Sequence, residues 1–274
     1  MPRFETSDGV SLFYQDWGSG EPVVLLHAWP LSADMWERQL PVLVAAGLRC
    51  VAPDRRGFGR SNQPGSGYTY DRFADDIAEL IERLDLRRVT LVGCSMGGAE
   101  IVRYLSRHGD GRIARAVMIG TVTPVMHRTA SNPDGPDEGY FAGMLAAIAG
   151  DRQRYMTEGA PGLFGIAGDR QPVSAAVCSW AVGLALQASV LATLATARCY
   201  AEADLTGEMG AVTVPTLVVH GGADPGTPLA RHGIPTASAI PGSRLVVYEG
   251  APHGLFVTEA ERLNRDLIAF VRGS

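Results

Sequence analysis

The chain has 274 residues, 46% hydrophobic and 19% charged, the balance of a folded globular chain with room for one α/β domain carrying an insertion. Its formal net charge is −5 and no basic run occurs, so the composition argues against a nucleic-acid partner. All 24 residues in the Lys+Arg count are arginine, which excludes Schiff-base chemistry and a phosphate-loop lysine.

Taken in order, Phe4 to Trp17 reads as a hairpin around Asp8-Gly9, with Val10 to Tyr14 on the return strand. Val23 to His27 is a continuous apolar run, as in a strand covered on both faces. His27-Ala28-Trp29-Pro30 follows, and the spacing predicts a helix from about Ala33 to Ala46, closed by Gly47. Arg49 to Pro53 is a short strand, and Asp54 to Ser61 a glycine-punctuated loop. In that loop Asp54 is expected to brace Arg56 or Arg60. From Asp71 to Leu86 the residues Phe73, Ile77, Leu80, Ile81 and Leu84 share one helical face. Val89 to Leu91 is a strand that runs into Gly93-Cys94-Ser95-Met96-Gly97-Gly98, and Ala99 onward has helical spacing.

Ala114 to Ile119 is a further strand. The alternation then stops, and Thr123 to Met209 shows alanine-rich helical stretches with little strand signal. Within it, Gln171 to Ala197 carries no charge, but its serines, threonines, glutamines, Pro172 and Gly183 favour buried helices over a membrane span. Strands resume at Val214 to His220 and Arg244 to Tyr248, and a helix from about Thr258 to Val271 ends the chain. Strands alternating with helices imply a mostly parallel sheet with helices on both faces. The expected organisation is a core from residues 1–122 and 210–274, with residues 123–209 inserted as a helical cap.

Cys50, Cys94, Cys178 and Cys199 form no C-x-x-C pair, and Met1 to Thr6 has no apolar signal core. Free thiols in a reducing, cytoplasmic compartment are expected. The six histidines show no metal-ligand spacing, and no metal or other cofactor is expected.

The G-x-S-x-G of Gly93 to Gly97 lies between a strand and a helix, the context of a nucleophile elbow. Ser95 is the nucleophile, and the Met96 N–H at the helix start is aimed at developing negative charge. A serine at its free pKa needs a base, and the base an orienting carboxylate. Asp224 follows the strand ending at His220, and His253 follows the strand ending at Tyr248. The order Ser95, Asp224, His253 is that of the α/β hydrolases. Glu249 is the weaker rival for the acid, while His27 and His220 read as hydrogen-bonded structural residues.

On these residues the chain resembles the cofactor-free haloperoxidase and aryl-esterase branch of the α/β hydrolases. The likeness is carried by Asp16-Trp17-Gly18-Ser19-Gly20, His27 to Leu31, Asp54 to Ser61, Phe73 to Asp76, Leu91 to Gly98 and Gly250 to Gly254, and is weakest from Met126 to Gly210. It implies an α/β-hydrolase fold with a helical cap, a Ser95–His253–Asp224 triad, and an oxyanion hole from the N–H groups of Met96 and Trp29. Two positions depart from the family pattern: Ala28 replaces a glycine, and Pro225-Gly226-Thr227-Pro228 replaces an apolar pair before proline.

The expected function is hydrolysis of small carboxylic esters through an acyl-enzyme, with perhydrolysis of short acids by peroxide on the same machinery. Pro30, beside the Trp29 donor, is expected to favour peroxide by directing the Trp29 carbonyl to the pocket. Lactone or cyclic-amide hydrolysis is the alternative, and an idle hydrolase-fold binding protein the rival from another class. Expected partners are small molecules (an ester, a lactone, or a carboxylic acid with peroxide), without nucleic acid or membrane, and self-association is left open. Trp29, Met96, Val122, Phe164, Trp180 and Leu255 are the expected pocket residues.

Overall fold

The apolar runs form one eight-stranded sheet in a computed structural model that describes residues 2–273. Its strands are β1 (Arg3–Glu5), β2 (Ser11–Trp17), β3 (Pro22–Leu26), β4 (Arg49–Pro53), β5 (Val89–Cys94), β6 (Ile113–Ile119), β7 (Thr216–Gly221) and β8 (Arg244–Tyr248). They lie in the order β1-β2-β4-β3-β5-β6-β7-β8. The β1–β2 and β2–β4 pairs are antiparallel, and every pair from β4 to β8 is parallel. Strands β3, β5, β6, β7 and β8 therefore deliver their carboxyl ends to one edge of the sheet, where open α/β sheets place their sites.

The unbroken apolar character of these strands follows from burial on both faces. Val24, Leu26, Leu91, Ala116 and Met118 belong to one core cluster, with Phe73, Ile77 and Ile81 of α2 (Tyr70–Arg83) and Ile101 and Leu105 of α3 (Met96–His108). Val23, Leu25, Val92, Val117, Leu217 and Val219 belong to the other, with Leu43 of α1 (Leu40–Ala45) and Leu263 and Leu267 of α10 (Ala260–Arg272). Truncating any of the fully buried leucines among them to alanine should cost about 2–5 kcal/mol.

The predicted helix over Ala33 to Ala46 divides. A 3₁₀ turn covers Ala33–Trp36, and α1 starts only at Leu40. Pro41 is the cause: it has no N–H for the Glu37 carbonyl and its ring crowds that position, so the helix restarts with proline in its first turn. The last predicted helix, from about Thr258 to Val271, is α10, and a one-turn α9 (Leu255–Thr258) that the sequence reading did not include precedes it. A short α8 (Gly233–Ala239) escaped the sequence reading, because seven residues with a proline show no helical period.

Between β6 and β7 lie α4 (Glu138–Gly150), α5 (Arg152–Leu163), α6 (Ala175–Gln187) and α7 (Val190–Glu202). Asp137, Asp151 and Ser189 cap α4, α5 and α7 by accepting backbone N–H bonds. Helix α4 packs on α7, and α5 on α6. Phe141, Ile148, Ala192 and Tyr200 join the first cluster, and Met156, Ala181 and Leu184 the second, so these helices span both sides of the sheet edge. The uncharged stretch from Gln171 to Ala197 folds as α6 and α7, which meet at 97°. Among the described residues no single helix is long and apolar enough to cross a membrane.

Candidate active site

The chain turns sharply where β5 gives way to α3. Ser95 has φ 55° and ψ −113°, a conformation that costs a non-glycine residue about 1–3 kcal/mol and is held by its surroundings. Its N–H donates to Ile119 O of β6 at 2.8 Å, and Gly98 N–H returns to Ser95 O at 3.0 Å. A Cβ on Gly97 would lie 2.6 Å from Leu26 O, so only glycine lets α3 approach β3 this closely. The glycine spacing around Ser95 is thus a steric demand of the turn. Met96 N–H is the first of α3, and helix geometry leaves it without an intrahelical acceptor.

Asp224 sits in the loop after β7, buried at 5% exposure, with every acceptor site used. Its Oδ1 accepts from Gly226 N–H at 2.9 Å and Thr227 N–H at 2.8 Å. Its Oδ2 accepts from the Thr227 hydroxyl at 2.8 Å and from His253 Nδ1 at 2.6 Å. Burial raises the carboxyl pKa, but the His253 charge and the hydrogen bonds from His253 and from the Thr227 N–H and hydroxyl outweigh it and hold Asp224 at about 2. Asp224 is therefore ionised at neutral pH. Burial also works against a charged His253, yet the adjacent carboxylate prevails and its pKa lies above the usual 6.5. With the proton on Nδ1, the lone pair of Nε2 is left for the cavity. Among the described residues no hydrogen bond joins Ser95 Oγ to His253, but both line the same cavity. Serine–imidazole contacts in unliganded hydrolases are often long and tighten only in the substrate complex.

Trp29 follows β3 on the other side of Ser95. Its indole Nε1 donates to Thr193 O of α7 at 3.2 Å, and its ring meets Tyr200 edge-on at 5.4 Å. Ala28 stands at the family's glycine position without a positive φ, so its Cβ fits; its N–H points to the Met35 sulfur at 3.1 Å. Neither Met96 N–H nor Trp29 N–H is taken by another described group.

The cavity holds about 270 Å³. Trp29, Met96 and Val122 line it together with Ser95, Thr227 and His253. Three expected pocket residues lie elsewhere. Phe164 is fully buried beneath the histidine loop, where a Cβ on Gly254 would strike its ring at 2.5 Å, and it packs on Phe256. Leu255 opens α9 and is fully buried in the core. Trp180 faces off the cavity because α6 turns Ala181, Val182 and Ala185 toward it, leaving the indole half-buried against the second cluster. The wall is completed instead by Met126, Phe141, Met144, Tyr155 and Tyr200. Tyr200 donates its hydroxyl to the Met144 sulfur at 3.2 Å, fixing both side chains.

The remaining polar candidates are braces. His27 Nδ1–H donates to Ala28 O at 2.9 Å while Nε2 accepts from Arg55 N–H at 3.0 Å; burial beside Arg55 keeps its pKa well below normal. His220 Nε2–H donates to Thr227 O at 2.6 Å. Asp54 accepts from Ala33 N–H at 2.7 Å and pairs with Arg60 at 2.9 Å, whereas Arg56 pairs with Asp76 and Asp8. Glu249 is exposed and makes no contact with His253.

The family model for the α/β hydrolase fold matches residues 21–157. A non-heme haloperoxidase of Rhodococcus erythropolis is 40% identical over 274 residues, covering 99% of each chain. A bifunctional esterase/perhydrolase of Acinetobacter calcoaceticus is 36% identical, with 99% of this chain and 100% of that protein covered. The crystal structure of a bromoperoxidase from Bacillus anthracis superposes with a TM-score of 0.94 at 38% identity, covering 99% of this chain and 100% of that one. With the nucleophile-elbow turn, the parallel sheet and near full-length likeness in agreement, the chain belongs to the α/β-hydrolase family, in its non-heme haloperoxidase branch.

Proposed function

We propose that the protein is a serine hydrolase of small carboxylic esters that also performs perhydrolysis. The observation that carries this reading is the convergence, in one cavity, of strained Ser95 with His253, whose Nδ1 lies 2.6 Å from buried, ionised Asp224. His253 Nε2 takes the Ser95 proton as Oγ attacks the ester carbonyl. The tetrahedral oxyanion is held by the N–H groups of Met96 and Trp29. His253 then protonates the leaving alcohol, and water, activated by the same imidazole, releases the acid and restores Ser95. Hydrogen peroxide in place of water gives a peracid, which oxidises halide in solution; the esterase/perhydrolase relative favours this second outcome.

Apart from His253, no lining side chain bears a formal charge, so both halves of the ester that enter the cavity are expected to be uncharged. A fluorophosphonate probe should label the native protein at Ser95 and fail to label Ser95→Ala. A panel of esters, lactones and cyclic amides, run with and without peroxide, then ranks the substrates. Labelling that survives Ser95→Ala would move the nucleophile elsewhere, and an unlabelled native protein would favour an idle binding fold.

A further inference from the structure

The Thr227 hydroxyl lies where three groups of the site meet. Asp224 Oδ2 is at 2.8 Å, Gly120 O at 3.1 Å and His253 Nδ1 at 3.2 Å. The residue is buried, at 2% exposure, and its backbone is fixed from both sides. Its N–H donates to Asp224 Oδ1 at 2.8 Å, and its carbonyl accepts from His220 Nε2 at 2.6 Å.

The hydroxyl has one proton to give. Gly120 O and Asp224 Oδ2 only accept, and the carboxylate is both nearer and charged, so the proton goes to Oδ2. Oδ2 then serves two donors, the threonine hydroxyl and His253 Nδ1–H, which draw on the same negative charge. We infer that Thr227 is a positioning residue that moderates the hold of Asp224 on His253, keeping the imidazole unprotonated, and so able to act as base, at lower pH than a carboxylate serving His253 alone would allow. This inference rests on the serine-hydrolase reading above.

Other groups that face the pair do not supply this effect. His220 on β7 is 3.9 Å from Asp224 Oδ2 but directs its own proton to Thr227 O. His232, ahead of α8, donates toward Thr123 O at 3.3 Å, and burial keeps both of these histidines neutral. Cys94 on β5 is held as a thiol by burial and by the Asp224 charge. Thr227 is thus the neutral side-chain donor placed on the carboxylate oxygen that His253 uses.

The test titrates His253 by ¹H–¹⁵N NMR of its imidazole, and kcat/KM for p-nitrophenyl acetate against pH, in the full-length wild type and in Thr227→Val, Thr227→Ala and Thr227→Ser. Loss of one hydrogen bond to the carboxylate should raise the His253 midpoint, and the acid limb of kcat/KM, by about half a pH unit in the valine and alanine variants. Serine should stay with the wild type. Should valine prove too unstable, alanine, which keeps both backbone bonds, carries the same reading. Midpoints unchanged or lowered in the hydroxyl-free variants, or a serine variant shifted as far as they are, would overturn the inference. A wild type that titrates as expected but is not labelled by fluorophosphonate at Ser95 would instead overturn the hydrolase reading, since the NMR midpoint needs no turnover.

Discussion

Asp224→Asn separates catalysis from folding. Asparagine keeps Oδ1, and with it the bonds from Gly226 N–H at 2.9 Å and Thr227 N–H at 2.8 Å that shape the loop. The change falls on the other atom, where an amide Nδ2 replaces Oδ2 and faces His253 Nδ1 and the Thr227 hydroxyl. An amide donor satisfies Nδ1 only as an acceptor, so the ring proton moves to Nε2 and, on the proposed mechanism, the imidazole can no longer take the proton of Ser95. The same substitution in a chymotrypsin-type triad lowers kcat by about 10⁴, or about 5.5 kcal/mol of transition-state stabilisation, and a loss of that order is expected here. The stability cost is smaller. Asp224 is held at about 2 against its usual 3.8, so its charge contributes about 2 kcal/mol at neutral pH. That contribution is complete above the usual value and disappears as pH falls through about 2. Removing it should lower Tm by about 4–8 °C for a chain of this size. The assay is kcat for p-nitrophenyl acetate beside a thermal melt, with Glu249→Gln as the control. A variant within tenfold of wild-type kcat, or a larger loss in Glu249→Gln, would refute the assignment of Asp224 as the acid.

Other expectations follow from the cavity and its surroundings. Ala181→Leu adds bulk to a buried position on the cavity wall and should reduce kcat/KM for bulky acyl esters more than for acetate, whereas Trp180→Ala should lower Tm with little change in selectivity; competition between acetyl and benzoyl esters decides. His232 is held at about 4 by burial, so the unfolded chain binds a proton between pH 6.5 and 4 that the folded chain refuses; stability should be about 3 kcal/mol lower at pH 4 than at pH 7 from this group. Urea midpoints should show that slope reduced in His232→Gln, and equal slopes would refute it. Pro30 lines the cavity beside Trp29, and Pro30→Leu should lower perhydrolysis relative to ester hydrolysis; a parallel change in both would leave proline only a stiffening role.

The sheet was legible in the sequence wherever a strand is apolar on both faces. Arg49–Pro53 and Arg244–Tyr248 match their predicted bounds, and the other core strands shift by one to three residues. Helices failed where local chemistry overrides periodicity. Pro41 splits one helix, and α8 is too short for a period to register. Within the site, the elbow could be read because its glycines answer steric demands that are local in sequence: Gly97 must admit Leu26 O, and Gly93 must admit the turn itself. That Asp224 and His253 would meet at the edge that carries Ser95 could be read because a parallel sheet carries every strand end to that edge.

The pocket wall obeys no such rule. Phe164, in the cap segment, and Leu255, close after His253 in the chain, looked like pocket residues because they are apolar, yet both are buried in the core against the histidine loop. Met144 and Tyr200 lie 56 residues apart, on α4 and α7, and meet only because those helices pack. Thr227 illustrates both cases. That it differs from an apolar family position was visible beforehand, but a hydroxyl at a given place in a loop has no assigned partner. The Asp224 side chain supplies the partner by accepting two backbone N–H bonds from the loop that follows it, which brings the next side chain round onto its second oxygen. The same two bonds that hold the acid in place therefore select which residue tunes it, and a substitution at Pro225 or Gly226 that opens this turn would remove the tuning along with the anchor.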